Sequence, residues 1–128
     1  MTETQFTIQQ FCNQWLQAWT GNQPAQLLSF YHEDALYIDP ANKNALTGHI
    51  ALGGYFKKLL AANPNWKWEA IEIFSTTNGC TLKWKATIPV KNETLIEYGL
   101  DIVELKEGKI VRNEVYFDRT NWFNLLKK

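Results

Sequence analysis

Apolar residues near the start of the chain recur at helical spacing. Ile8, Phe11, Cys12, Trp15 and Trp19 fall three and four apart, with Gln9, Gln10, Asn13, Gln14 and Gln17 on the opposite side. This predicts an amphipathic helix over residues 6–20. Gly21 suits its stop. Asn22 can cap a second, short helix with Pro24 in its first turn, running to about Tyr31 and burying Leu27, Leu28 and either Phe30 or Tyr31. His32-Glu33-Asp34 then reads as a turn, and Leu36-Tyr37-Ile38 as the start of a strand that carries Asp39 into the protein body. Pro40 pushes Asp39 towards extended geometry. Two readings of Asp39 stand at this point: a turn former, or an acid aimed inward.

Residues 41–45 read as a polar loop. Thr47-Gly48 opens a third helix, residues 49–61, whose buried stripe is Leu52, Tyr55, Phe56, Leu59 and Leu60. Asn63-Pro64-Asn65 ends it. The period then changes from helical to two. Residues 66–74 are strand-like, Asn78-Gly79 signals a hairpin, and residues 80–88 alternate Cys80, Leu82, Trp84, Ala86 and Ile88 against Thr81, Lys83, Lys85 and Thr87. Pro89 is read as the end of that strand. Further strands are expected at 94–105 and 110–117, joined by the turn Lys106-Glu107-Gly108-Lys109. The tail, 118–128, carries Trp122, Phe123, Leu125 and Leu126 and should pack back. Three helices followed by antiparallel strands predict an α+β fold with helices on one face of a curved sheet, as one domain over residues 1–128.

Composition narrows the function classes. Hydrophobic residues make up 45% of the 128, with six Trp, which is globular rather than disordered. Thirteen basic and thirteen acidic residues cancel, so there is no electrostatic footprint for nucleic acid or an anionic membrane. Met1-Thr2-Glu3-Thr4-Gln5 does not read as a secretory leader, and no apolar run approaches the roughly 18–20 residues of a membrane span. A cytoplasmic address is expected. Cys12 and Cys80 read as small core residues rather than a disulfide or zinc framework. There is no phosphate-binding glycine loop, metal-ligand spacing or nucleophile elbow, so neither cofactor nor metal is expected.

The strand at 94–105 has two largely apolar faces: Ile96, Tyr98, Leu100, Ile102 and Glu104 on one, and Glu97, Gly99, Asp101, Val103 and Leu105 on the other. Helices can cover one face. The other calls for a second subunit, because large apolar patches are rarely left bare, so a homodimer through the sheet is expected. Asp101 is then an acid in apolar surroundings. It must be paired, hydrogen-bonded or protonated, and both a structural and a catalytic role are open.

Several motifs taken together are similar to a known group. Tyr31-x-x-Asp34-Ala35-x-x-x-Asp39-Pro40, Thr47-Gly48, the Asp101 strand followed by Gly108-Lys109-Ile110, and Tyr116-Phe117-Asp118-x-x-x-Trp122-Phe123 resemble the SnoaL-like/ketosteroid isomerase-like family of the nuclear-transport-factor-two-like superfamily. The resemblance covers essentially the whole chain. It implies a cone-shaped antiparallel sheet wrapped round the helices, with a pocket at one end. It implies Asp39 as the base that moves a proton next to a carbonyl, and Asp101 as a protonated acid in an oxyanion hole; such an acid pair in ketosteroid isomerase is a worked case of carboxyls tuned apart. The tyrosine that donates to the oxyanion falls on Trp15, whose indole N–H is a weaker donor placed differently, so steroid isomerisation itself does not carry over.

Further pocket candidates are Tyr37, Tyr55, Trp84, Asn113 and Phe117, with Asn113, Val115 and Phe117 sharing the face that the resemblance turns inward. A register slip of one would put Lys83 and Lys85 there in place of Trp84. His49 could shuttle protons or face solvent; His32 belongs to the turn. Arg119 could pair with Glu114 or Asp118 and is given no chemistry. The expected partner is an apolar small molecule. The function is then a small-molecule-binding domain, as a cofactor-independent proton-transfer enzyme of isomerase, cyclase or dehydratase type, or as a non-catalytic ligand-binding or dimerisation module of the same fold. A small subunit of a larger enzyme is a third option.

Overall fold

The computed structural model describes residues 3–127; Met1 and Thr2, which open the stretch read for a leader, and Lys128 at the end of the tail lie outside the described residues. Four helices and six strands follow in the order α1 (Glu3–Gln17), α2 (Pro24–Leu28), β1 (Tyr31–Asp39), β2 (Asn42–Thr47), α3 (His49–Ala62), β3 (Lys67–Ser75), β4 (Gly79–Val90), β5 (Glu93–Lys106), β6 (Lys109–Tyr116) and α4 (Thr120–Leu126). The sheet order is β2-β1-β6-β5-β4-β3. Register shifts in β1, β3 and between β5 and β6 bend the strands, giving an α+β fold around a curved sheet. No helix among the described residues is long and apolar enough to cross a membrane.

The helices take one face. α1 packs on β3 and β4, α3 on β1 and β2, and α4 on β4. The stripe read from α1 is what meets the sheet: Cys12, Trp15, Leu16 and Trp19 are buried, and α3 adds Leu52, Phe56 and Leu60. The β4 alternation is equally literal, with Cys80, Leu82, Trp84, Ala86 and Ile88 all buried. Cys12 and Cys80 are free thiols, Sγ to Sγ 3.6 Å, joining α1 to β4 in the core.

Four expectations need correction. Tyr31 starts a strand and does not end a helix: it pairs with Ile110, and the Ile110 N–H donates to the Phe30 carbonyl at 2.9 Å. Its neighbours Leu27 and Leu28 fit either period, and a long-range partner decides. Helix α2 is therefore one short turn, and two strands separate it from α3. The polar run after Pro40 is an edge strand, β2, hairpinned to β1 through Leu36↔Thr47, Tyr37↔Leu46 and Asp39↔Asn42. Most of β2 is exposed; Leu46 packs partly against the core, and one covered apolar position in a short edge strand makes no alternation to betray it. Pro89 does not stop β4, which runs to Val90. Beyond Thr87 no β3 residue pairs with β4, so a missing N–H on that side removes no bond. Finally, the sheet is not wholly antiparallel. β1 and β6 run parallel, which the long stretch between them permits.

Candidate functional site

β1 brings its acid inward by simple alternation. Tyr31, Ala35, Tyr37 and Asp39 are buried, while Glu33 and Asp34 in the bulged part of the strand are exposed. Asp39 ends the strand at a tight turn and gathers five hydrogen bonds. Its Oδ1 accepts from the backbone N–H of Ala41 (2.9 Å) and Asn42 (2.8 Å) and from Asn42 Nδ2 (2.9 Å). Its Oδ2 accepts from the hydroxyls of Tyr37 (2.9 Å) and Tyr55 (2.5 Å). A carboxylate offers about four lone-pair positions, so these five donors use the hydrogen-bonding capacity of Asp39 in full. Both partners are held as neutral phenols: burial, then the Asp39 charge, raises Tyr37, and burial, then the hydrogen bond to Asp39, raises Tyr55.

Asp101 sits differently. It faces inward from β5, opposite Leu82 on β4 and Val115 on β6. Its Oδ1 accepts from Trp84 Nε1 at 2.7 Å and its Oδ2 from Asn113 Nδ2 at 3.1 Å. Burial pushes this carboxyl up to about 7, and the Asp39 charge adds to the rise while the two hydrogen bonds oppose it. Behind it runs a directed chain. Trp15 Nε1 donates to the Tyr31 hydroxyl (3.3 Å), and that hydroxyl donates to Asn113 Oδ1 (2.8 Å). Every donor in the chain points towards Asp101, which strengthens each bond in turn.

A cavity of about 120 Å³ connects the two acids. Leu16 and Trp19 wall it from α1 and the turn after it, and Tyr55 and Leu59 from α3. Trp66, Trp68 and Trp84 come from β3, the residue before it, and β4; Val115, Phe117, Arg119 and Trp122 come from β6, α4 and the segment joining them. Ala41 is exposed and Arg119 and Trp122 are half-buried, which places the opening between the β1–β2 turn and the approach to α4. Trp68 Nε1 is buried with no hydrogen-bond partner among the described residues.

Of the residues singled out from sequence, Asp39, Asp101, Tyr37, Tyr55, Trp84 and Phe117 line this cavity. Trp15 and Asn113 do not. They lie behind Asp101, fully buried in the chain just described. Trp84 is inward, so Lys83 and Lys85 take the outer face and pair with Leu100 and Tyr98. His49 Nε2 lies 2.7 Å from the backbone carbonyl of Tyr31, half-buried and away from the cavity. His32 Nδ1 accepts from the Asp34 N–H at 3.1 Å. Arg119 pairs with neither Glu114 nor Asp118: Glu114 meets Arg112, and Asp118 holds Thr120. Among the described residues no three His, Cys, Asp or Glu side chains gather as metal ligands.

Sequence reasoning missed Tyr31, the link between Trp15 and Asn113, because it was read as the end of a helix. It also missed the wall formed by Trp19, Trp66, Trp68 and Trp122. Trp66 and Trp68, two apart on an extended segment, carried a usable signal. Arg119 carried none.

The comparisons with known proteins agree with this fold. Residues 12–113 match the model of the SnoaL-like domain. A protein from Shewanella putrefaciens assigned as a SnoaL-like polyketide cyclase superposes with a TM-score of 0.79 at 12% identity, over 94% of this chain and 86% of that one. A hypothetical protein with a ketosteroid isomerase-like fold from Catenulispora acidiphila, solved with trimethylamine, gives 0.74 at 18% identity, over 84% and 85%. An NTF2-like protein of unknown function from Cytophaga hutchinsonii gives 0.65 at 17% identity, over 91% and 94%. At these identities the likeness is one of fold. No protein of curated function matches the chain. The family match spans well over half of the sequence, and the protein is a member of the SnoaL-like domain family.

Proposed function

We propose that the cavity binds a small, largely apolar carbonyl compound and that Asp101 is the group that exchanges protons with it. One observation carries this reading: Asp101 is a cavity-lining carboxyl whose value lies at about 7, held by only two donors. A group poised near neutrality can both take and return a proton. Asp39, the base implied by the resemblance, is given a different role. Its five hydrogen bonds fix the rim of the cavity and the two phenols that face it. In this reading ionised Asp101 removes a proton from the carbon next to the carbonyl, and the neutral acid returns it to the enolate.

The test is hydrogen–deuterium exchange. Small cyclic ketones are incubated in D₂O with the protein, and loss of the α-proton signal is followed by NMR. Exchange accelerated by the protein, rising as pH passes through about 7, and lowered about 10²–10⁴-fold in Asp101→Asn, is the expected result. A ketone that binds without exchanging moves the protein to the second reading, a ligand-binding module. That reading is favoured by the small volume and by the saturated Asp39. If no small ring compound binds, both readings fall.

We also propose that the outer face of the sheet pairs with a second copy. Ile96, Tyr98, Leu100 and Tyr116 are 42–54% exposed there, with Lys83 and Lys85 on one side and the Arg112 ion pairs to Glu104 and Glu114 on the other. An exposed apolar patch of this kind calls for a cover, and a two-fold pairing of like chains is the commonest one. Light scattering should give twice the chain mass of 14.9 kDa, and Leu100→Lys should halve it; a monomeric wild type removes the proposal.

A further inference from the structure

Arg119 is a cation on the wall of an aromatic cavity that Asp39 and Asp101 also line, and among the described residues it forms no ion pair with either. Its Nη2 donates to the Pro40 carbonyl at 3.0 Å, and its guanidinium lies 4.8 Å over the Phe123 ring. No carboxylate among the described residues lies within ion-pair distance of it. The acids that could reach it from nearby sequence are engaged elsewhere: Glu114 with Arg112 and Tyr116, and Asp118 with Thr120. A guanidinium carries five N–H donors in a planar fork, and among the described residues Arg119 spends one hydrogen bond, on Pro40. Its charge reaches the cavity interior, where it opposes the rise of Tyr55.

An unanswered guanidinium beside an apolar cavity is a ready partner for an anion, because charge-assisted, bidentate pairing with a carboxylate is where this fork is strongest. The rest of the cavity sets the remainder of the ligand. Its walls are tryptophan rings, several at steep angles to one another: Trp66 and Trp68 at 84°, Trp68 and Trp84 at 81°. Its volume, about 120 Å³, is near that of an engineered cavity of about 150 Å³ that takes up benzene. One ring fits; a fused polycycle does not. Aromatic walls and the two acids would also attract a cation, but Asp39 is already met by five donors, Asp101 by two, and Arg119 at the opening repels one.

We propose that the ligand is a monocyclic carboxylate, its ring among the tryptophans and its carboxylate on the Arg119 fork. The proposal rests on the reading of the cavity as a small-molecule site, and it names the charge and size of what enters.

Isothermal titration calorimetry of the full chain at low salt tests it with three isosteric probes: benzoate, benzamide and benzylammonium. Benzoate should bind at least about tenfold more tightly than benzamide, and benzylammonium most weakly. Arg119→Gln should erase the preference for benzoate while leaving benzamide binding in place, and Arg119→Lys should restore part of it. The comparison of probes on the unaltered protein needs no variant, so a misfolded variant does not blunt it. Equal affinity for benzoate and benzamide, or tighter binding of benzylammonium, overturns the proposal and leaves the ligand site standing. Failure of all three probes to bind takes the ligand site down with it.

Discussion

Asp39 and Asp101 face the same cavity from the same sheet, yet they are built for opposite ends. Asp39 sits at the end of β1, where a turn exposes backbone N–H groups, and it collects five donors. Asp101 sits mid-strand in β5, where the ladder already uses the backbone, so only side chains can reach it. Two do, and burial prevails over them to lift its value to about 7. The difference teaches that position along a strand decides how many backbone donors a carboxylate collects, and so whether it becomes a structural knot.

The largest test of that contrast is Asp39→Ala. It strands the hydroxyls of Tyr37 and Tyr55 and the N–H groups of Ala41 and Asn42. At about 1–3 kcal/mol for a buried group left unpaired, and with water rescuing the more exposed ones, the loss should be on the order of 3–5 kcal/mol by urea unfolding. No loss would mean that Asp39 is not a knot.

Asp101 should show itself through pH. In the folded protein it holds its proton far more tightly than in the unfolded chain, with about 7 against 3.8. Its share of stability is therefore full below the unfolded value, falls as pH rises through about 7, and is level above. Roughly three units correspond to up to about 4 kcal/mol. Asp101→Asn should flatten that slope, and an unfolding series from pH 4 to 8 on both proteins decides it. A wild-type profile without the fall removes the contrast between the acids.

Next comes Gly99, directly opposite Trp84 in the ladder. A Cβ there would lie 2.2 Å from Trp84 Cζ2. Gly99→Ala must displace the indole, at about 1–3 kcal/mol for overpacking, and lengthen its bond to Asp101. The midpoint of the pH profile should then move up, because a stabilising donor to the anion is weakened. The smallest effect on the pH profile is expected for Trp15→Phe. It removes one long hydrogen bond, 3.3 Å, two links from the acid, and leaves a gap where part of a fully buried indole stood, so it should cost about 2–3 kcal/mol with little change in the pH profile.

Much of this arrangement is legible in the sequence, for identifiable reasons. The α1 stripe and the β4 alternation are readable because each element has one covered face, and period alone reports it. Asp39-Pro40 and Asp101 stand out because acids are rare among apolar neighbours. The polar edge strand β2 is invisible for the converse reason, since Leu46 is its one apolar residue packed against the core. Tyr31 was assigned to the wrong element because its partner, Ile110, lies far away in the chain, beyond any local pattern. Trp15 and Asn113 are pocket candidates by period, but period cannot say how deep a residue lies: both are buried one layer short of the cavity. Arg119 lies in a connecting segment with no period at all, and only its place on the cavity wall, without an ion pair among the described residues, gives it meaning.

The bond from the Trp84 indole to Asp101 has an optical consequence. Five of the six tryptophans, Trp19, Trp66, Trp68, Trp84 and Trp122, line the cavity, and one of them donates directly to the carboxyl that titrates near neutrality. The protein therefore carries its own indicator. Its emission should shift as Asp101 gains or loses its proton and again when the cavity fills, so protonation and occupancy can be followed in the unlabelled chain.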